Sequence, residues 1–190
     1  MSRDVPRELN FSEKLKGNQL QFVTTWGLFS PEKVDDGSKL LIDKVELKPG
    51  SRILDLGCGY GAIGIALAKA APDAKVEMVD KDFVAVEYAS KNIAANDLLN
   101  CRAFLSNGFD QVEASEFEII ASNLPAKVSN ELFEIWFAEA LRRLAPGGQL
   151  YVVTISGLRE YIKRRFTDIF GNYEKLAQGK TYTVARATKR

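Results

Sequence analysis

Histidine is absent from these 190 residues, and no other feature of the composition removes as much chemistry. Ser-His-Asp and Cys-His hydrolases, histidine-ligated metal sites and histidine general bases all need an imidazole. Cysteine is scarce as well. Cys58 and Cys101 are too few for a disulfide scaffold or a zinc site and read as small buried residues. No apolar run approaches the roughly 20 residues that a membrane-spanning helix requires. Nor does an apolar stretch follow the first charges, as a signal peptide would demand. A cytoplasmic chain with no membrane partner and no metal is therefore expected. A surplus of charge is also missing: 26 Lys/Arg stand against 25 Asp/Glu, for a net charge of +1. What is left for chemistry is carboxylates, amides, backbone groups, lysine, or a cofactor that brings its own reactivity.

The apolar fraction of 46% and charged fraction of 27% belong to an ordinary globular protein, long enough to bury a core. One compact domain, monomeric by default, is the expectation. Within it, residues 46–190 read as the regular part and 1–45 as an N-terminal extension, either a lid or a plain packing segment along the sheet edge. Residues 1–17 are polar and loosely patterned, and read as poorly ordered. The stretch Gln19–Phe29 alternates and carries aromatics, which suggests a hairpin; Val34–Val45 reads as an amphipathic helix ended by Pro49-Gly50. From there short apolar runs at 52–56, 75–79, 101–105, 117–121 and 149–154 alternate with helical segments at 62–71, 83–96, 130–144 and 158–166. A last hairpin is read over 172–187. The pattern predicts a Rossmann-like, doubly wound α/β fold: a mostly parallel seven-stranded sheet with an antiparallel C-terminal strand and helices on both faces. Such sheets bind ligands beyond the carboxyl ends of their strands.

Asp55-Leu56-Gly57-Cys58-Gly59-Tyr60-Gly61 joins a strand to a helix. Glycines there let a ligand approach the backbone, and the helix amides are expected to face it. Gly57, Gly59 and Ala62 also satisfy a loose dinucleotide fingerprint, so the glycines alone do not choose a cofactor. Asp55 does discriminate. A carboxylate reaching this crevice would repel the pyrophosphate of NAD and attract the ammonium of S-adenosylmethionine. Asp80, nineteen residues after Gly61, is placed to accept hydrogen bonds from two ribose hydroxyls, with Asp82 as the cap of the following helix. Lys81, beside it, and Asn107, in the loop after the third strand, complete the candidate cofactor set of Asp55, Gly57, Cys58, Gly59, Gly61, Asp80 and Asn123. Asn107 reads equally well as a plain turn residue.

The fourth strand runs into Ile119-Ile120-Ala121-Ser122-Asn123-Leu124-Pro125-Ala126. With the glycine loop, this Asn-x-Pro turn resembles the class I S-adenosylmethionine-dependent methyltransferases. More narrowly it resembles the methyltransferase small domain group, whose best-known members methylate an exocyclic guanine amine in small-subunit ribosomal RNA. The resemblance also covers Trp26-Gly27-Leu28-Phe29-Ser30, Asp36-Gly37-Ser38-Lys39-Leu40-Leu41, Asn92 and Asn96. It implies that Asn123 and Pro125 form the catalytic turn, the Asn123 carbonyl accepting a hydrogen bond from the target amine, and that RNA or the small ribosomal subunit is the partner. Phe29, Asn123, Leu124 and Pro125 are then the substrate-binding candidates. The family's usual second proline and base-stacking aromatic are replaced here by Leu124 and Ala126. A missing stacking platform is worth roughly 1–3 kcal/mol per base, so the base is expected to stack elsewhere, on Phe29 or Trp26.

Other readings stand beside this one. A protein side-chain amide or a small molecule would serve as acceptor for the same chemistry, and a cofactor-binding subunit without catalysis would keep the loop. An NAD oxidoreductase lacks an evident proton donor near the crevice. From Leu158 to Arg190, nine Lys/Arg face three acids, either a phosphate-tracking patch or a solvated charged face.

Overall fold

The computed structural model describes residues 7–125 and 130–190. It opens with a hairpin, β1 (Glu8–Leu15) and β2 (Asn18–Thr25), paired along their whole length around Lys16-Gly17. The described part of the N-terminal stretch read as poorly ordered is thus a strand, and the hairpin lies earlier than 19–29. One face of β1 is solvated, with Glu8, Asn10, Ser12 and Lys14 outward or half-exposed, while Leu15 is buried. Helix α1 (Asp36–Lys44) follows, capped by Asp35, whose side chain accepts a hydrogen bond from the Ser38 amide.

The alternating segment then builds β3 (Arg52–Leu56), α2 (Ala62–Ala70), β4 (Lys75–Asp80), α3 (Phe83–Ala95), β5 (Cys101–Leu105), β6 (Phe117–Asn123), α4 (Asn130–Arg143), β7 (Leu144–Ile155), α5 (Arg159–Phe170), β8 (Glu174–Gln178) and β9 (Tyr182–Thr188). Seven strands form one sheet in the order β5-β4-β3-β6-β7-β9-β8, with β9 antiparallel to both neighbours. The expected architecture holds; several boundaries shift. Ala145-Pro146-Gly147-Gly148, read as a helix stop, lies inside β7 beside an irregularity in its pairing with β6. Helix α5 runs to Phe170 rather than 166.

Strand alternation sends side chains to two cores. Ile53, Ile119 and Tyr151 pack with α1, α2 and α3, whereas Leu54, Ile120 and Leu150 pack with the aromatics of α4 and α5. Residues 62–68 of α2 are buried on every side, because the hairpin roofs the helix on the face away from the sheet. Two asparagines of α3 hold that roof. Asn92 accepts from the Val23 amide (2.7 Å) and donates to its carbonyl (3.0 Å) and to Tyr60 O (2.9 Å). One turn on, Asn96 does the same for Gln21 (3.0 and 2.8 Å). No helix among the described residues is long and apolar enough to cross a membrane.

Candidate active site

The order of strand addition switches sides between the parallel neighbours β3 and β6, and the crevice lies beyond their carboxyl ends. Its floor is the glycine loop. Gly57 (φ 73°) and Gly59 (φ 55°) adopt left-handed backbone, and a Cβ on either would enter open space. A side chain there would be both strained and in the way of a ligand. Several amides of the glycine loop bond within the protein. Those of Gly57 and Cys58 donate to Val79 O (2.9 Å each), that of Gly59 to Asp80 Oδ2 (2.9 Å), that of Gly61 to Cys58 O (2.9 Å) and that of Gly64 to Asp55 Oδ2 (2.8 Å). Taken up in this way, these donors are not free for a diphosphate, which depends on backbone amides.

A cavity of about 420 Å³ rises above this floor, within the range of small-ligand sites. Gly57, Cys58, Gly59, Asp80, Lys81, Asn107, Asn123, Leu124, Pro125 and Phe29 all line it. Asp80 is held at its edge by two backbone amides, Gly59 N to Oδ2 and Asp82 N (3.0 Å) to Oδ1. Each oxygen keeps a lone pair for a hydroxyl donor. Asp82 caps α3 through Val84 N (2.8 Å), as expected. Asn107 contacts Asp110 Oδ2 only at 3.4 Å, a loose turn contact at the cavity wall.

Asp55 and Gly61 do not line the cavity. Asp55 lies beneath the loop at 1% exposure. Its Oδ2 accepts from Gly64, and its Oδ1 is buried without a hydrogen-bond partner among the described residues. Burial raises its pKa to about 7, partly opposed by the Gly64 hydrogen bond and reinforced by the nearby Asp80 charge. Cys58 is buried, and that burial, with the charges of Asp55 and Asp80, pushes its thiol well above the ordinary range. Such a thiol is no nucleophile at neutral pH. Cys101, expected to be buried, is half-exposed.

At the other end of the cavity Asn123 ends β6. Its Nδ2 donates to Ser38 Oγ (2.9 Å) and to both Asp35 oxygens (3.2 Å each). A carboxylate only accepts, so the amide orientation is determined by its neighbours. Nothing among the described residues donates to Asn123 Oδ1. Ser122 Oγ ties β6 to Leu56 O (2.7 Å), and the Leu124 amide donates to Val153 O (2.9 Å). These contacts hold the turn between the two neighbouring strands.

The methyltransferase small domain family matches residues 19–186. The chain belongs to this family. It is 32% identical over 185 residues to the ribosomal RNA small subunit methyltransferase C of Pseudomonas aeruginosa strain LESB58, covering 94% of this chain and 54% of that protein. It is 30% identical over 183 residues to the uncharacterized protein YbxB of Bacillus subtilis strain 168, covering 94% and 90%. Among solved structures it superposes with TM-score 0.88 and 30% identity on a 16S rRNA N2 methyltransferase of T. thermophilus in complex with AdoMet and guanosine, covering 98% of this chain and 52% of that one. The chain thus spans about half the length of the curated methyltransferases it matches.

Several residues lining the cavity carry no sequence sign of a place there. Asp35 and Trp136 fall inside segments read only as helices, and Ser38 inside a stretch of family resemblance with no role attached; all three line the cavity. Tyr182, from the antiparallel β9, arrives from the far end of the chain. Of the two stacking candidates, Phe29 is at the cavity and 65% exposed, whereas Trp26 does not line it. Leu124 is buried at 4% exposure, and Ala126 lies outside the described residues. The basic C-terminal stretch is partly neutralised: Arg165 pairs with Glu134 and Asp168, Arg186 with Glu46 and Glu174, and Arg159 with Glu160.

Proposed function

We propose that this methyltransferase transfers a methyl group from S-adenosylmethionine to an exocyclic amine, N2 of a guanine in small-subunit ribosomal RNA, acting in the cytoplasm. The observation that carries the reading is one cavity with a pre-oriented Asp80 carboxylate at one end and the bare Asn123 Oδ1 at the other. Its support from relatives is the T. thermophilus enzyme, whose fold this chain shares and which holds AdoMet and guanosine.

The residues present fit the cofactor. Asp80 is set to take the ribose hydroxyls, and the Gly57–Gly59 floor leaves room for the ligand. Lys81 and Asn107, also at the cavity wall, would border the adenine. Asp55 contributes a buried, half-satisfied carboxyl under the loop, where a bound ammonium favours its ionised form. When bound, S-adenosylmethionine supplies an electrophilic methyl group on a sulfonium. Asn123 Oδ1 accepts one N–H of the amine and thereby directs the nitrogen lone pair, and Pro125 stiffens the turn that holds it. No strong base is required, because the amine loses its proton after gaining positive charge. Alignment is the main source of rate, aided by the Asn123 dipole facing the developing ammonium. That suits a chain with no histidine. Phe29 and Trp136 offer aromatic faces for the base where the family's own aromatic is missing, and the part of the N-terminal extension that supplies Phe29, Asp35 and Ser38 serves as a lid over both ligands.

The test is transfer of tritiated methyl from S-adenosylmethionine into RNA from cells lacking the gene, with total protein as the parallel acceptor, followed by nucleoside analysis. Label is expected in RNA as N2-methylguanosine. Label confined to protein, or to another nucleoside, contradicts the acceptor assignment.

A further inference from the structure

The Asn123 amide is oriented by the start of a helix 88 residues earlier in the chain. Asp35 caps α1, with Oδ1 accepting from the Ser38 amide at 3.1 Å. Both its oxygens, with Ser38 Oγ, then receive the two Nδ2 hydrogens of Asn123. Asp35 is buried, at 8% exposure, and no ion pair among the described residues reaches it. Serine or asparagine would cap the helix as well, so the cap alone does not require a carboxylate. What only a carboxylate does here is refuse to donate. It forces the Nδ2 side of Asn123 toward α1 and so leaves Oδ1 toward the cavity.

We propose that Asp35, assisted by Ser38, is a positioning residue: it sets the Asn123 amide so that the cavity presents an acceptor, and thereby selects N–H-bearing methyl acceptors. This rests on the reading of Asn123 as the group that receives the amine. Gly37 belongs to the same device. A Cβ there would lie 2.9 Å from Asp35 Oδ1 and 2.9 Å from the Tyr182 ring, so glycine is what lets the carboxylate stand where it does. The negative charge behind the amide also polarises it, making Oδ1 a better partner for an amine that gains charge.

Asp35→Asn keeps the cap, the size and the reach. With the Ser38 amide still binding its oxygen, the new Nδ2 faces Asn123, which must turn its own oxygen toward it and present NH2 to the cavity. Asp35→Ser keeps the cap but falls short of Asn123. Gly37→Ala leaves both side chains chemically intact and displaces the carboxylate. The measurements are kcat for methyl transfer into RNA, affinity for S-adenosylhomocysteine, melting temperature, and the side-chain amide signals of Asn123 by nitrogen-15 NMR, assigned by their loss in Asn123→Ala. Asp35→Asn is expected to lower kcat on the order of 100-fold, the scale of misplacing a reacting group. Asp35→Ser and Gly37→Ala are expected to lower it less. In all three, product affinity and melting temperature stay near wild type and the Asn123 signals move. A wild-type kcat in Asp35→Asn overturns the proposal, as does a kcat loss matched by equal losses of product affinity and melting temperature. If the wild type transfers no methyl to RNA, the acceptor reading fails, and unmoved Asn123 signals in Asp35→Asn then overturn the positioning role separately.

Discussion

Asp55 is the residue on which the choice of cofactor was first argued, and its position changes the form of that argument. It does not reach into the cavity; it lies beneath the glycine loop with one oxygen bonded to Gly64 and the other buried alone. Burial holds its folded pKa at about 7, against an ordinary aspartate value near 4 in the unfolded chain. The folded protein therefore keeps this proton over a range where the unfolded chain has released it. Stability from Asp55 is fully present below about pH 4 and declines as pH rises toward 7. Asp55→Asn is expected to remove that decline, read as the difference in unfolding free energy between pH 5 and pH 8 by denaturant titration. An unchanged pH slope in the variant contradicts the assignment. The place of Asp80 at the strand end and the capping role of Asp82 were legible in the chain, because both follow from local pattern. Asp35 was not. It lies in a segment read as a helix, just outside the Asp36–Leu41 stretch that carries the resemblance, and its partner Asn123 is brought to it only by the tertiary fold.

At the scale of elements, the least legible piece was the first hairpin. Glu13 interrupts the apolar alternation of β1, and its pairing with Lys39 (2.8 Å) is a contact no local pattern announces. The two asparagines of α3 explain why the hairpin docks on a helix rather than on the sheet. Asn92 and Asn96 offer β2 the donor and acceptor that a neighbouring strand would have given. Asn92→Leu keeps the volume but leaves the Val23 amide and the carbonyls of Val23 and Tyr60 without partners. Each such buried group costs about 1–3 kcal/mol. The variant is expected to unfold at lower denaturant with its helical content retained below the transition; unaltered stability would mean that the hairpin is held by its apolar face alone. Strand β7 was misread at its start for a related reason. Pro146 and the two glycines look like breakers, yet Gly148 sits where a Cβ would come within 2.6 Å of Phe117 O, so the glycine serves a close strand contact.

Over the whole molecule, the alternating pattern was enough for the sheet, its order of helices and the single antiparallel strand, because a fold buried on both faces writes itself into periodicity. The cavity was legible where strand ends meet turn residues, and illegible where α4 and β9 contribute Trp136 and Tyr182 from the far part of the chain. The central claim is that this cavity accepts a nucleoside with a charged amino acid tail and not a dinucleotide. Loop amides already bonded to Val79, Asp80 and Cys58 are not free for a diphosphate, while the Asp80 carboxylate suits a sugar diol and the buried Asp55 beneath the loop favours a cation above it over an anion. Titration calorimetry on the intact protein tests it most directly. Heat of binding at one site per chain is expected for S-adenosylmethionine and S-adenosylhomocysteine, with none for NAD; saturable binding of NAD, with no heat from the sulfonium compound, would contradict the account.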